Sequence, residues 1–244
     1  MPSRSVKIKS PPVDEKDRLL RMVAHDLRSP LTHANLHLDR LQSLAEKEKL
    51  SPTVRKLIKE TEFQVRRISS LVEKLNDLDA MENRGDPINC KPTPFSRWVR
   101  ISYQNHQALA KNKEIKLEGK FPREDFPVIA DPEALLRIFE NLLSNALKFT
   151  PRGGRISLQV GKNESYGFAS ISDSGPGIPE KDQKKLFERF TKLTPQPTEG
   201  EPSLGLGLSI VQHLCQEMGG KIEYSSKAEQ GTTFTINLPL AKES

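Results

Sequence analysis

The residues best suited to chemistry fall into separate groups along the chain. First comes His25 followed directly by Asp26. A carboxylate beside an imidazole can orient the ring or take up its proton, as a base does beside a nucleophile. Next are Asn141, Asn145 and Lys148, spaced i, i+4 and i+7 and so on one face of a helix. An amide oxygen can ligate Mg2+ while water and phosphate oxygens complete the octahedron, and a lysine can meet phosphate as a point charge. Asp173-Ser-Gly-Pro-Gly177 follows a strand pattern, and Gly205-Leu-Gly207 opens a helical one. Glycines there allow the backbone close to a planar ligand, Asp173 can accept from an adenine amino group, and a glycine-led helix start can hold phosphates. Each group has a plain alternative: a surface histidine on a kinked helix, a solvated amide face, ordinary loop glycines.

The elements that must position these residues can be read from periodicity. Leu20, Val23, Leu27, Leu31, Ala34, Leu38, Leu41 and Ala45 recur at spacings of three and four, the stripe of a bundle helix expected over 13–47. Pro30 interrupts its hydrogen bonding one turn past His25. His25 stands one step off the stripe, so its imidazole is expected to face solvent or a partner. Ser51-Pro52 reads as N-cap and first residue of a second helix, with Val54, Ile58, Thr61, Val65, Ile68, Val72 and Leu75 as its stripe. Two such helices make a hairpin too thin to bury both stripes, so a second copy is expected to close a four-helix bundle.

Gly85, Pro87, Pro92 and Pro94 end the heptads and mark a linker over 85–95. The expected division is a lead-in at 1–12, a helical hairpin at 13–84, and a mixed domain at 96–244. In the mixed domain, helices are expected at 96–110, from Asp131-Pro132 to about Phe149, and at 204–218. Strands are expected at 115–119, 128–130, 156–160, 168–172, 221–224 and 232–238, the last two forming a hairpin around Glu229-Gln-Gly231. Helices and strands in this arrangement predict an α+β chain: a hairpin followed by an α/β sandwich.

The chain has 244 residues, enough for two domains, with 35% hydrophobic and 29% charged residues. No apolar run approaches the length of a membrane span, and the first ten residues lack the apolar core of a signal peptide. Cys90 and Cys215 stand far apart, without metal-ligand spacing, which fits reduced thiols in cytosol. The net charge of +6 comes from 38 basic residues scattered among 32 acidic ones, which argues against nucleic acid as a partner and for a solvated surface. His33 and His37 at i, i+4 lack further ligands for a metal. His106 and His213 read as surface or packing residues.

His25-Asp-Leu-Arg-Ser-Pro-Leu-Thr32 resembles the phosphoacceptor box of sensor histidine kinases. Asn141-Leu-Leu-Ser-Asn145-Ala-Leu-Lys148-Phe149 resembles the Asn box of GHKL-type ATPases in the version these kinases carry. Asp173-Ser-Gly175-Pro-Gly177 resembles their first glycine box, Leu186-Phe-Glu-Arg-Phe190 their Phe box, Gly205-Leu206-Gly207-Leu208 the second glycine box, and Gly231-Thr-Thr-Phe234 the last. In order and spacing the resemblance runs from Asp17 to Pro239.

It implies a catalytic core using ATP and Mg2+, acting as a homodimer, and passing a phosphoryl group from His25 to an aspartate on a response regulator receiver domain. It implies Asn145 as Mg2+ ligand with Asn141 assisting, Lys148 at the phosphates, Asp173 at the adenine amino group, and Phe149 along the base. Gly205 and Gly207 would meet the phosphates, Thr233 the adenine side, and Lys192 the γ-phosphate. The stretch 191–203 resembles a mobile lid over ATP. A neutral imidazole is needed for attack, and an ordinary pKa of about 6.5 leaves most of it neutral at cell pH.

The chain departs from the family pattern at two positions and in extent. Ser203 stands where the second glycine box usually opens with a glycine. Ser29 stands four residues after the phosphoacceptor, where kinases that are also phosphatases usually have Thr or Asn; its hydroxyl implies a weak phosphatase activity. Neither a sensor nor a receiver flanks the core, so a cytoplasmic piece of a longer receptor is expected, reaching a membrane only through a sensor segment outside this chain. A conformational ATPase of the same superfamily would carry a carboxylate four residues before the Mg2+ ligand to activate water. Asn141 stands there instead, and Glu140 lies about 100° around the helix. A degenerate kinase acting mainly as phosphatase or ATP-binding scaffold is the remaining alternative.

Overall fold

A computed structural model describes residues 15–47, 50–83, 88–191, 193–199 and 204–241; of residues 15–26, 28, 46, 66–67, 70–71 and 73–83 it describes the backbone alone. Two compact units divide the chain, Met1–Gly85 and Asp86–Ser244.

The first unit is a pair of packed helices, α1 (Glu15–Lys47) and α2 (Pro52–Asn83). α1 runs without interruption through Pro30. At the start of α2, the Ser51 hydroxyl accepts from the Val54 amide at 3.4 Å, as a cap at that position should. Leu38, Ala45 and Val72 are buried between the helices. Polar pairs cross the same seam: Asn35 Nδ2 donates to Ser69 Oγ at 3.0 Å, and Gln42 donates to Glu62. Leu27, Leu41, Val54 and Ile68 remain exposed on the hairpin.

The second unit is an α/β sandwich. Its five-stranded sheet has the order β2 (Lys116–Lys120), β4 (Arg155–Lys162), β5 (Tyr166–Asp173), β7 (Thr232–Pro239), β6 (Lys221–Ser226). β2 pairs with β4 in parallel; the remaining ladders are antiparallel. Alternation along β4 buries Ile156, Leu158 and Val160, and along β5 Ala169 and Ile171. These residues meet a layer of α3 (Phe95–Asn112), α4 (Pro132–Phe149) and α6 (Gly207–Glu217). α4 buries Leu135, Ile138, Phe139, Leu142 and Leu143 at 0–1% exposure, each worth roughly 1.5–3 kcal/mol before entropy is counted. The opposite sheet face is polar, with hydroxyl pairs Ser170–Thr235 at 2.9 Å and Ser172–Thr233 at 2.7 Å.

A second sheet joins β1 (Lys91–Pro94) to β3 (Pro127–Ala130), antiparallel. β1 lies in the stretch expected to be linker. Pro92 and Pro94 read as breakers, yet a strand with only one neighbour can tolerate prolines that do not have to donate.

Candidate active site

α4 begins where its sequence requires. The Asp131 side chain accepts from the amides of Glu133 (2.8 Å) and Ala134 (3.1 Å), and Pro132 follows as first helical residue. Two turns along, Asn141 and Asn145 emerge half-buried at the edge of the apolar stripe. Asn141 Nδ2 donates to the Arg137 carbonyl at 2.8 Å, which leaves its Oδ1 free to face Gly207. A Cβ built on Gly207 would lie 3.0 Å from Asn141 Oδ1 and 3.6 Å from Asn145 Nδ2. Gly207 is the first residue of α6, and the preceding Leu206, itself buried, gives no side-chain cap. An uncapped helix start thus stands beside two carboxamides, a setting for an anion and its counter-cation.

Asp173 ends β5. The Gly175 amide donates to its Oδ1 at 2.9 Å and the Thr232 amide also donates to it, but burial outweighs both and holds the carboxyl above its ordinary 3.8. Gly177 adopts φ +65, and a Cβ there would fall 2.0 Å from the Lys227 carbonyl oxygen; one on Gly175 would lie 2.8 Å from that of Phe149. Both glycines are needed for this turn to press against its neighbours.

The turn, α4 and β7 enclose one pocket. Leu142, Asn145, Ala146 and Phe149 line it from α4, Ile171 and Asp173 from β5, Pro176, Gly177 and Ile178 from the turn, and Thr232 and Phe234 from β7, with Leu208, Leu193 and Pro195 beside them. It is largely apolar, with a carboxylate and an amide as fixed polar points, the usual composition of a small-molecule site.

One expected site residue is placed elsewhere. Thr233 points to the opposite face of the sheet and bonds Ser172; Thr232 lines the pocket. Successive strand residues face opposite ways, and Phe234, also in the pocket, sets the parity. Alternation back from Phe234 would have singled out Thr232.

Gly205 has φ +68, and a Cβ on it would lie 2.4 Å from the Thr191 carbonyl oxygen. Its own carbonyl accepts from the Phe190 amide at 3.0 Å, so the two ends of the stretch expected as a lid meet there. Within that stretch, the Thr198 amide and hydroxyl donate to the Lys148 carbonyl at 2.9 and 3.0 Å, and Glu199 pairs with Arg152 at 2.9 Å. Lys148 is half-buried at the end of α4. Lys192 and Ser203 lie outside the described residues. In the Phe box Leu186 is buried, and Phe187, Tyr224 and Phe234 form a chain of ring contacts leading back to the pocket.

On the hairpin, His25 and Asp26 are consecutive residues of α1, and their side chains lie outside the described ones. Ser29 is exposed one turn further on, and its carbonyl faces His33 Nδ1 at 2.9 Å. Among the described residues no group of His, Cys, Asp or Glu could hold a metal ion, and no helix is long and apolar enough to cross a membrane.

A sandwich holding such a pocket, preceded in the chain by a helical hairpin that carries a histidine, describes a class, and sequence matching gives the same class. Residues 130–242 match the histidine kinase-, DNA gyrase B-, and HSP90-like ATPase family, and residues 15–84 match the His Kinase A (phospho-acceptor) domain. The chain belongs to the histidine kinases. It is 32% identical over 229 residues to the adaptive-response sensory kinase SasA of Synechocystis sp., covering 92% of this chain and 59% of that one. It is 29% identical over 232 residues to the sensor histidine kinase WalK of Bacillus subtilis, covering 94% of this chain and 37% of that one. The chain therefore spans little more than half of the first relative and less of the second. Among solved structures, full-length ShkA in complex with AMPPNP superposes with a TM-score of 0.70 at 25% identity, over 93% of this chain and 47% of that one.

The residues present fit ATP and Mg2+. The neutral oxygens of Asn141 and Asn145 suit a hard cation that takes its remaining ligands from phosphate and water. The glycine cradles of 175, 177 and 207 would be filled by any side chain, and the apolar slot ending in Asp173 suits a purine with an amino group.

Proposed function

We propose that the chain is the catalytic core of an ATP-dependent protein-histidine kinase that phosphorylates its own His25 and passes the phosphoryl group to an aspartate of a response regulator. The observation that carries this reading is the meeting of Asn145, Asp173 and Gly177 in one apolar pocket next to the uncapped start of α6. Asp173 accepts from the adenine amino group, Phe149 and Thr232 flank the base, and the amides at Gly207 face the phosphates. Asn145, with Asn141, would hold Mg2+, which would supply charge neutralisation at the transferring phosphate. Lys148 and Lys192 are the candidate cations for the same phosphates.

Transfer is a displacement at the γ-phosphorus. The lone pair of neutral His25 forms the N–P bond, the bridging P–O bond to ADP breaks, and Asp26 takes up the positive charge or proton left on the ring. Most of the barrier lowering comes from positioning and charge neutralisation. Two copies of the hairpin bury the exposed stripe through Leu27, Leu41, Val54 and Ile68. Ser29 gives the phosphorylated regulator a weak phosphatase.

Hydrolysis of ATP as the main activity is disfavoured by one further contact. Glu140, the carboxylate nearest the Asn pair in sequence, is tied to Asn105 at 3.1 Å and to His106 at 3.5 Å on α3. The decisive experiment is labelling with ATP and Mg2+. The adduct should be acid-labile and base-stable, and His25→Gln should abolish it while nucleotide binding persists. Label retained in that variant would sink the assignment.

A further inference from the structure

Polar contacts between α3 and α4 repeat at a spacing that apolar packing does not require. His106 is 4% exposed; its Nδ1 donates to the Ser102 carbonyl at 2.9 Å, and its Nε2 stands 3.5 Å from Glu140 Oε2. The other carboxylate oxygen, Oε1, accepts from Asn105 Nδ2 at 3.1 Å and Ser102 Oγ at 3.3 Å. Seven residues along α3, at its C-cap, Lys113 is 7% exposed, and its ammonium donates to the carbonyls of Leu147 (2.7 Å) and Lys148 (3.3 Å). Position 147 is likewise seven residues past Glu140 on α4. The two contacts are therefore rungs between parallel helices, about 10 Å apart along the axis.

We infer that His106 and Lys113 are positioning residues for the metal and phosphate end of the nucleotide site, acting by fixing the register of α4 on α3. This rests on the nucleotide reading given above. Two smooth apolar faces would pack nearly as well after a small slide or rotation, and buried polar pairs are often no more stabilising than apolar residues of the same size. What such contacts add is a single admissible register, because any other leaves the buried Lys113 ammonium and His106 ring without their partners, while the half-exposed Glu140 could turn to solvent.

The register matters because of what lies on the far side of α4. Glu140 is covalently next to Asn141, about 100° around the helix. Holding Glu140 against α3 turns Asn141 and Asn145 toward Gly207. Lys113 binds carbonyls of the last turn, where its charge complements the negative end of the helix dipole, and so sets the height of Lys148. At the adenine end Asp173 and Thr232 belong to sheet strands outside both rungs. What α4 adds there, Leu142, Ala146 and Phe149, is apolar contact without a directed bond, so a small change of register costs less there than at the metal.

That separation defines the test, made on the full chain by titrating a fluorescent ADP analogue with and without Mg2+. Replacing both members of the upper rung (His106→Leu with Glu140→Leu), and separately Lys113→Met, should weaken Mg2+-dependent binding about tenfold, as loss of a metal's supporting contacts does. Mg2+-free binding should stay within about twofold of the parent, a split that a general loss of structure would not produce. If the double variant fails to fold, Glu140→Gln keeps the size, loses the charge, and should show the same split to a smaller degree. Asn145→Ala serves as reference. Loss of Mg2+ dependence in Asn145→Ala, with parental behaviour or an equal loss with and without Mg2+ in the rung variants, overturns the positioning role alone. Parental Mg2+ dependence in Asn145→Ala overturns the nucleotide reading and the positioning role with it.

Discussion

The hairpin and the sandwich solve the problem of burying apolar residues in opposite ways. In the sandwich Leu135, Ile138 and Phe139 reach 0% exposure, because α4 has a sheet beneath it and α3 and α6 beside it. In the hairpin Leu27, Leu41, Val54 and Ile68 keep 40–45% exposure, while Leu38, Ala45 and Val72 alone among its described hydrophobics are buried. Each hairpin helix carries more apolar surface than one neighbour covers, and the remainder is what the proposed second hairpin would bury. The proposed chemistry divides along the same line. His25, Asp26 and Ser29 lie within two turns of one helix, so any helix of this sequence presents them together. The pocket draws on residues 142–149, 171–178, 193–195, 208 and 232–234, and exists only once the whole sandwich has folded.

If the two units hold separate parts of the chemistry, one substitution should disable one and spare the other. Asn145→Ala should lower autophosphorylation by about a hundredfold or more, since metal stabilisation of the transferring phosphate is worth several kcal/mol. A hairpin already phosphorylated on His25 should still donate to its regulator at the parental rate. Loss of both activities in a folded variant would end the comparison drawn here. The burial difference can be tested as directly. Leu41→Lys should weaken dimerisation by roughly 2 kcal/mol per protomer, bringing the mass measured by light scattering toward that of one chain. Melting of the sandwich should not change.

The same contrast explains what could be read from the sequence. The hairpin's stripes, the Ser51 cap, and α4 from Asp131-Pro132 to Phe149 are local patterns, and their bounds follow from residues a few positions apart. Box order and spacing single out Asn145, Asp173 and Gly177 in the sequence, and the fold brings the three to one pocket. β1 was not, since two prolines in four residues argue against a strand unless the partner strand is known. The motif names a stretch, whereas the face a residue presents depends on strand parity, so the motif points to Thr233 while Thr232 lines the pocket. The grip of α3 on Glu140 and on the end of α4 joins positions more than thirty residues apart. No local pattern contains it.

A smaller effect probes the sandwich alone. Burial holds the Asp173 carboxyl above its ordinary 3.8. A carboxyl raised in the folded state contributes stability below its unfolded value and loses that contribution as pH climbs through the folded one. At neutral pH the ionised group therefore costs stability, which is consistent with a ligand role. Asp173→Asn should weaken adenosine binding roughly tenfold, the worth of a hydrogen bond to a charged group. In the parent, adenosine affinity should fall as pH drops through a value above 3.8, and Asp173→Asn should flatten that dependence. A variant with the parental pH profile would remove Asp173 from the adenine contact.

The smallest effect belongs to the hairpin. Removing a phosphate from the regulator requires a group near His25 that holds a water in line with the aspartyl phosphate. Ser29 is exposed, one helical turn along on the same face as His25, and its hydroxyl can donate and accept. It is shorter than asparagine and freer in rotamer than threonine, so a water held by it is held loosely. The backbone there is ordinary helix, continuous through Pro30, and a change of side chain should leave the presentation of His25 intact. Ser29→Thr should therefore raise the decay of a phosphorylated regulator a few-fold, and Ser29→Ala should lower it, with His25 labelling unchanged in both. The decay is followed with ADP present and ATP absent, so that rephosphorylation does not mask it. If Ser29→Ala decays at the parental rate, the water is placed by another group, and the hairpin's chemistry reduces to His25 and Asp26.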